Sequence, residues 1–215
     1  MAAKHMLTTS LLLGVFAIAG TSMVALTFEN TEERIADNEY QALLQSLNAL
    51  VPPESHDNDI ANDTVEVTSK TLLGSKKPNT VYLARQKDIP IAAVITTIAP
   101  DGYSGAIKLL VAIRYDGSVS GVRVLNHRET PGLGDGIEIE RSDWIKSFND
   151  LSLKSPDELG WRVKKDGGIF DQFTGATVTP RAVVKSVHNA LLYFEQHRDQ
   201  LFNASEEAQA TAKSD

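Results

Sequence analysis

The segment from 171 to 180 combines residue types that favour binding of a phosphate group. It reads DQFTGATVTP, in which Gly175 and Ala176 leave room for a bulky group beside the backbone. Thr179 is a suitable N-cap, and Pro180 suits the first position of a following helix. The free N–H groups and the dipole of a helix N-terminus favour an anion, so the hydroxyl of Thr177 would lie beside a bound phosphate. The same residues also fit a plain loop that enters a capped helix.

A second segment, from His127 to Asp135, follows a predicted strand and reads HRETPGLGD. Its glycines allow the backbone to approach a flat ring, and its other side chains offer contacts to such a ring. The glycines are Gly132 and Gly134, and the side chains that offer polar contacts are Glu129 and Thr130. A glycine turn after a strand explains the same pattern without a ligand. The tripeptide Tyr103-Ser104-Gly105 is a third candidate.

Both segments resemble parts of one known family. The first resembles the flavinylation motif of bacterial membrane electron-transport subunits, Asp-x-x-(Ser/Thr)-Gly-Ala-Thr. Every fixed position of that motif is present: Asp171, Thr174, Gly175, Ala176 and Thr177. The second resembles the Glu-Thr-Pro-Gly-Leu-Gly stretch of the same family, which lies near the flavin. Essentially the whole chain is similar to the G subunits of Rnf (also called Rsx) ion-translocating electron transport complexes. The C subunits of sodium-pumping quinone reductases look like longer relatives.

This resemblance implies that Thr177 carries FMN through a phosphoester, installed from FAD by a magnesium-dependent FAD:protein FMN transferase. Further flavin contacts are expected from Glu129, Thr130, Gly132, Leu133, Gly134 and Thr179. The other Rnf subunits would be the partners, in a complex that passes electrons between ferredoxin and NAD while it moves ions. No residue of this chain is expected to be catalytic by itself. One hypothesis for Asp171 is that it orients the substrate or the metal of the transferase.

The composition excludes several other kinds of site. Lys and Arg number 21 against 28 Asp and Glu, so the chain lacks the basic surface that nucleic acid needs. Cysteine is absent, which excludes disulfides, thiolate zinc sites and cysteine-ligated iron–sulfur clusters. The five histidines are scattered, so no metal site is expected. Neither a nucleophile elbow nor a P-loop is present.

The remaining pattern predicts an α+β fold, an antiparallel sheet with helices packed on it. Strands are predicted at 64–68, 89–98, 107–115 and 119–125, and Asp116-Gly117-Ser118 joins the last two as a hairpin. A short helix is predicted at 142–148 and a short strand at 161–163. The clearest helix runs from Pro180 to about Phe202. Its apolar residues recur at helical spacing on one face: Val183, Val184, Val187, Leu191, Phe194 and Leu201.

The N-terminal region predicts a membrane anchor. The 23 residues from Met6 to Phe28 contain no charged side chain and are long and apolar enough to span a bilayer. Ala17-Ile18-Ala19 also resembles a signal-peptide cleavage site, and a buried soluble helix is a third alternative. The uncleaved anchor is favoured because the apolar run continues beyond a short signal sequence. Lys4 before the run and acidic residues after it predict a cytoplasmic N-terminus.

These predictions divide the chain into five parts. Residues 1–5 form the cytoplasmic N-terminus, 6–28 a transmembrane helix and 29–63 a helix and linker. Residues 64–203 form an extracytoplasmic FMN-binding domain on the periplasmic side of the bacterial inner membrane, and 204–215 a flexible tail. Two other functions fit the same sequence: a membrane-tethered binding domain without redox activity, and a free-standing flavoprotein reductase with its own substrate.

Overall fold

A long N-terminal helix begins the fold. The computed structural model describes residues 2–212, which divide between Leu44 and Gln45 into two compact units. Helix α1 runs over Ala2–Leu50, and its stretch His5–Phe28 is apolar enough to cross a membrane, with a mean hydropathy of 2.1. None of that stretch is buried. For the part after this stretch, the sequence predicts an amphipathic helix that opens at Thr31 and is ended by Pro52-Pro53. The helix is continuous at Thr31, where the sequence predicts a new amphipathic stretch, and it ends just before Pro52-Pro53 as predicted.

The last turn of α1 is part of the second unit. Leu47, Leu50 and Val51 are buried. The hydroxyl of Ser120 donates a hydrogen bond to the backbone oxygen of Leu50 over 2.7 Å. Gly121 lies directly against this turn, since a Cβ there would come within 2.8 Å of Leu50 Cδ2. The core of the unit therefore starts before the proline pair.

Five antiparallel strands form a single sheet, which confirms the predicted fold class. The strands are β1 (Thr64–Val67), β2 (Asn79–Gln86), β3 (Ile89–Ala99), β4 (Ile107–Arg114) and β5 (Val119–Asn126), and their order in the sheet follows the sequence. The β4–β5 hairpin turns at Asp116-Gly117-Ser118 as predicted, with Gly117 at a φ of +89°. Strand β2 is not among the predicted strands. It pairs with β3 across a two-residue turn, Lys87-Asp88, in which both residues have positive φ.

Helix α2, Val178–Ala212, packs on this sheet against β3 and β4. The six apolar residues predicted on one face of this helix are all buried, so that prediction is confirmed. The helix extends beyond Phe202, where the sequence predicts its end. Near that residue it is fixed by Arg85, a buried side chain on β2. Arg85 donates a hydrogen bond to the backbone oxygen of Phe202 over 2.7 Å and forms an ion pair with the buried Asp63.

Short elements connect β5 to α2. The predicted helix at 142–148 is the 3-10 helix Asp143–Phe148, whose first turn is capped by the Ser142 hydroxyl, which accepts a hydrogen bond from the backbone N–H of Trp144. Of the predicted strand at 161–163, only Val163 pairs, in an isolated bridge with Phe170. Other 3-10 turns span Asp135–Ile137, Glu158–Gly160 and Lys164–Asp166.

Candidate functional site

Thr177 directly precedes the first residue of α2. Its backbone oxygen accepts a hydrogen bond from the N–H of Arg181 over 3.3 Å, which closes the first helical turn. The prediction that Thr179 is the N-cap is therefore wrong, because the helix begins at Val178 and Thr179 is its second residue. Pro180 is the third residue, a position that a proline still tolerates because it lies in the first turn. The half-buried Thr177 lies at the helix N-terminus, where backbone N–H groups lack partners within the helix.

A tight turn presents the residues before Thr177. The N–H of Ala176 donates to the backbone oxygen of Phe173 over 3.1 Å, and Gly175 takes a φ of +78°. This conformation favours glycine because a Cβ is strained there. Phe173 anchors the turn, with its ring centroid 5.2 Å from that of Trp144. The ring also lies over Gly136, where a Cβ would come within 3.1 Å of it.

The structure brings the second predicted segment against this turn. A Cβ on Gly175 would lie 3.8 Å from Leu133 Cδ2, the distance of ordinary contact. The Thr130 backbone oxygen accepts hydrogen bonds from the N–H groups of Leu133 and Gly134. Gly132, which lies between Thr130 and Leu133 in the loop, has a φ of +75°, and its N–H donates a hydrogen bond to Asp135 Oδ1 over 2.8 Å. The two segments of the sequence therefore form one surface beside the start of α2.

Glu129 lies beneath this surface and connects it to the third candidate segment. Its side chain is buried, and Oε1 accepts a hydrogen bond from the backbone N–H of Ser104 over 3.0 Å. Oε2 accepts a hydrogen bond from the hydroxyl of Thr179. The backbone N–H of Glu129 donates to His127 Nδ1, so the ring proton is on Nε2, which lies 2.6 Å from Glu138 Oε1.

Asp171, at the start of the motif, is exposed and held from two sides. Its Oδ1 lies 2.6 Å from Lys164 Nζ, and its backbone oxygen accepts a hydrogen bond from Trp144 Nε1 over 2.8 Å. In the first turn of α2, the Arg181 guanidinium donates two hydrogen bonds to Asp166, at 2.6 and 2.9 Å. These bonds hold the pKa of the Asp166 carboxyl below its ordinary value and raise the pKa of Arg181. Lys164 before the motif and Arg181 after it in the sequence are thus both paired with carboxylates.

Each of the three segments exposes one large apolar side chain. Tyr103, Leu133 and Val178 are 72, 49 and 41% exposed. These side chains offer apolar surface on each of the three segments. With a hydroxyl at a helix N-terminus and a glycine-rich backbone, the arrangement has the chemistry that a phosphate-linked flat ring needs. A separate cavity of about 190 Å³, lined in part by Lys70, Asp101 and Lys185, contains none of the predicted site residues.

Comparison with known proteins agrees with this arrangement. A family model described as FMN-binding domain matches residues 102–192, and one described as RnfG N-terminal region matches residues 1–50. Similar proteins are each named as the G subunit of an ion-translocating oxidoreductase complex. The protein from Pseudoalteromonas atlantica is 48% identical over 93% of each chain, and one from Pseudomonas aeruginosa is 49% identical over 95% of each chain. One from Vibrio cholerae is 50% identical over 90% of this chain and 92% of its own.

This chain belongs to the family of G subunits of ion-translocating oxidoreductase complexes. The FMN-binding domain match contains all three segments of the site, and the N-terminal match covers the whole of helix α1. The resemblance on which the sequence prediction rests is therefore confirmed at the level of the family. The residue-by-residue flavin contacts stay predictions for this member of the family.

Several contacts at this site have no signal in the sequence. Lys164 and Ser104 bind Asp171 and Glu129, respectively. Trp144 packs against Phe148 of the core and also holds the motif through its hydrogen bond to the backbone oxygen of Asp171. Trp161 is a core residue, 5% exposed and packed against Phe148 and Phe170. A pattern of residue types cannot reveal pairings such as that of Glu129 with Thr179, because the partners lie 50 residues apart.

Proposed function

We propose that this protein is a membrane-anchored electron-carrier subunit, with FMN attached by a phosphoester to the Thr177 hydroxyl. The observation that supports it most is the position of Thr177, which directly precedes α2 and follows a turn that packs against the glycine-rich loop within an FMN-binding domain. In the attached form the phosphate charge is stabilised by the helix N-terminus. Leu133, Val178 and Tyr103 are the side chains that we expect to contact the ring.

Attachment is a transfer reaction in which this chain supplies the nucleophile. The Thr177 oxygen forms the new bond to the FMN phosphorus, the bond from that phosphorus to the AMP half of FAD breaks, and AMP leaves. The hydroxyl proton goes to a base of the transferase. Once attached, FMN supplies one- and two-electron exchange, and the contacts around the ring set its potential.

Our proposal extends to the complex in which the protein works. The relatives are subunits of ion-translocating oxidoreductase complexes, so we assign this chain to an Rnf-type complex that links ferredoxin and NAD. Residues 6–28, within the apolar stretch His5–Phe28, anchor it in the inner membrane, with residues 1–5 in the cytoplasm and the FMN-binding domain in the periplasm. The anchor confines the carrier next to its partners and raises its effective concentration for them.

The first test is the intact mass of the full chain after co-expression with an FAD:protein FMN transferase. We expect wild type to gain the mass of FMN less water. Thr177→Ala should gain nothing, and Thr177→Ser should regain the modification because it restores the hydroxyl. Thr71→Ala is the matched control, since it removes the hydroxyl of an exposed threonine outside the three segments of the site. Unmodified wild type beside an active transferase would leave a tethered binding domain as the better explanation.

The role in the complex requires a second measurement. Membranes from a strain that lacks this protein are assayed for ferredoxin-dependent reduction of NAD. We expect wild type to restore the activity and Thr177→Ala to fail, although both proteins reach the membrane in equal amounts. Equal restoration by both would exclude electron transfer through the proposed attached flavin.

A further inference from the structure

We infer that Glu129 is a positioning residue, whose buried carboxylate fixes the start of α2 and thereby the Thr177 hydroxyl. This inference rests on the proposed function and assigns a residue role within it. It also changes the role predicted from the sequence, in which Glu129 and Thr179 contact the flavin directly.

The first support is the way in which the carboxylate is buried. Glu129 is 4% exposed, and each of its oxygens accepts a hydrogen bond from a different part of the chain. The donors are the Ser104 N–H and the Thr179 hydroxyl. Among the residues that the structure describes, no basic side chain forms an ion pair with this carboxylate. Two hydrogen bonds therefore compensate for its lost hydration, and loss of either leaves a buried polar atom unpaired.

The second support is the space around the carboxylate. A Cβ on Gly134 would come within 2.9 Å of Glu129 Cβ and 3.0 Å of Thr179 Oγ1. On the other side, a Cβ on Gly102 would come within 3.0 Å of Glu129 Oε1. Neither position accepts a side chain without displacement of its neighbours. The carboxylate is thus fixed between two glycines, and the loops that contain them are fixed with it.

The third support is the short path from Glu129 to the acceptor hydroxyl. Thr179 is fully buried and lies two residues after Thr177, and the next residue is Pro180, whose φ is restricted by its ring. A hydrogen bond that fixes Thr179 therefore leaves little freedom to the backbone of Thr177. Because the carboxylate is buried and both of its oxygens accept hydrogen bonds from protein groups, Glu129 acts on the site through Thr179.

The test compares two buried threonines that each bind one side chain. Thr179→Val removes the hydrogen bond to Glu129. The matched control, Thr97→Val, removes the 3.2 Å hydrogen bond between Thr97 on β3 and Ser186 on α2. Full-length protein in detergent is incubated with transferase, FAD and magnesium, and FMN incorporation is followed by intact mass. We expect Thr179→Val to react at least tenfold more slowly than wild type and Thr97→Val within twofold of it. Unfolding temperatures are measured for both.

Conservative variants separate positioning from general loss of stability. Thr179→Ser keeps the hydroxyl and should react within twofold of wild type. Glu129→Ala should react as slowly as Thr179→Val. Glu129→Gln should recover most of the rate, because its amide oxygen accepts from Ser104 and its amide nitrogen donates to the Thr179 oxygen. A slow Thr179→Ser variant, or a fast Glu129→Ala variant, would overturn the inference.

The flavin itself gives a second readout. In the fraction of Thr179→Val that becomes modified, we expect lower fluorescence anisotropy of the flavin than in wild type, because the attachment residue is less restrained. Wild-type rates and anisotropy in Thr179→Val and Glu129→Ala would overturn the positioning role while leaving the attachment at Thr177 intact. Absence of FMN from wild type would instead refute the attachment, and the inference with it.

Discussion

The indole Nε1 of Trp144 donates a hydrogen bond to the backbone oxygen of Asp171 over 2.8 Å. The same ring packs edge to face against Phe173, two residues further along, and against Phe148 in the core. One half-buried side chain therefore connects the core of the domain to both ends of a three-residue stretch of the motif. This contact explains how an exposed loop without regular structure keeps a defined conformation.

Trp144→Phe tests that connection. Phenylalanine keeps most of the ring contact but cannot donate the hydrogen bond, so we expect the free energy of unfolding to fall by about 1 kcal/mol. Amide exchange in 171–176 should become faster, as measured by mass spectrometry. Trp161→Phe is the control, because Trp161 Nε1 is buried without a hydrogen-bond partner among the described residues. Unchanged exchange in Trp144→Phe would show that the turn is stable without the indole.

Asp171→Ala should slow FMN incorporation at least tenfold and leave the unfolding temperature within a degree or two of wild type. The ion pair of Asp171 with Lys164 is exposed, and such pairs contribute about 1 kcal/mol or less. The loss would therefore report a role of the carboxylate toward the transferase. Lys164→Gln breaks the same ion pair and should react within twofold of wild type. Unchanged incorporation in Asp171→Ala would exclude that role.

Protonation of His188 is expected to cause part of the dependence of stability on pH. Its ring is half-buried and stacks on Trp161, and burial lowers its pKa below the ordinary value, although the nearby Glu158 opposes the shift. His188 then binds protons more readily in the unfolded chain than in the folded protein. Its contribution to the free energy of unfolding is therefore fully present above about pH 6.5 and is lost as the pH falls. The slope of this contribution to the free energy of unfolding against pH cannot exceed about 1.4 kcal/mol per pH unit, the value for one proton.

Urea unfolding of wild type and His188→Gln at pH 7.5 and 5.5 measures this contribution. We expect the loss of stability on acidification to be smaller in His188→Gln, because glutamine does not titrate. An equal loss of stability in the two proteins between pH 7.5 and 5.5 would contradict the prediction.

Two truncations test where the second compact unit begins. Removal of residues 1–44 keeps Leu47, Leu50 and Val51, so we expect the unfolding temperature of the remaining chain to match that of the full chain in detergent. Removal of residues 1–51 deletes these buried side chains and the partner of the Ser120 hydroxyl. We expect it to lower the free energy of unfolding by at least about 3 kcal/mol. Equal stability of the two truncated chains would place the start of the unit after Val51.

Local rules account for the features that the sequence predicts well. The β4–β5 hairpin follows from a short turn in which Asp116 accepts from Ser118 and Gly117 takes a positive φ, all within three residues. The buried face of α2 follows from helical spacing alone. Likewise, Pro52-Pro53 marks the end of α1 because proline restricts the residue before it.

Distant pairings account for what the sequence does not reveal. Strand β2 contains a buried Arg85, which is tolerated because Asp63 and the Phe202 backbone oxygen bind it, and these partners lie 22 and 117 residues away. The turn after β2 uses Lys87 and Asp88 at positive φ without a glycine to indicate it. The sequence predicts Thr179 as an N-cap because Pro180 follows it, but its hydroxyl donates a hydrogen bond to Glu129. Each case depends on contacts that form only in the folded chain.

The order of the strands has a consequence for when the protein can be modified. Each strand pairs with its neighbour in the chain, so the whole sheet comes before α2 in the sequence. Ser104 and Glu129 come together with the sheet, but Thr179 joins them only when the C-terminal helix docks. Under our proposal the acceptor threonine is positioned only when both the sheet and the C-terminal helix are in place. Flavin on Thr177 would then mark chains that have completed folding. The transferase would not modify unfolded chains, because their acceptor threonine is not positioned.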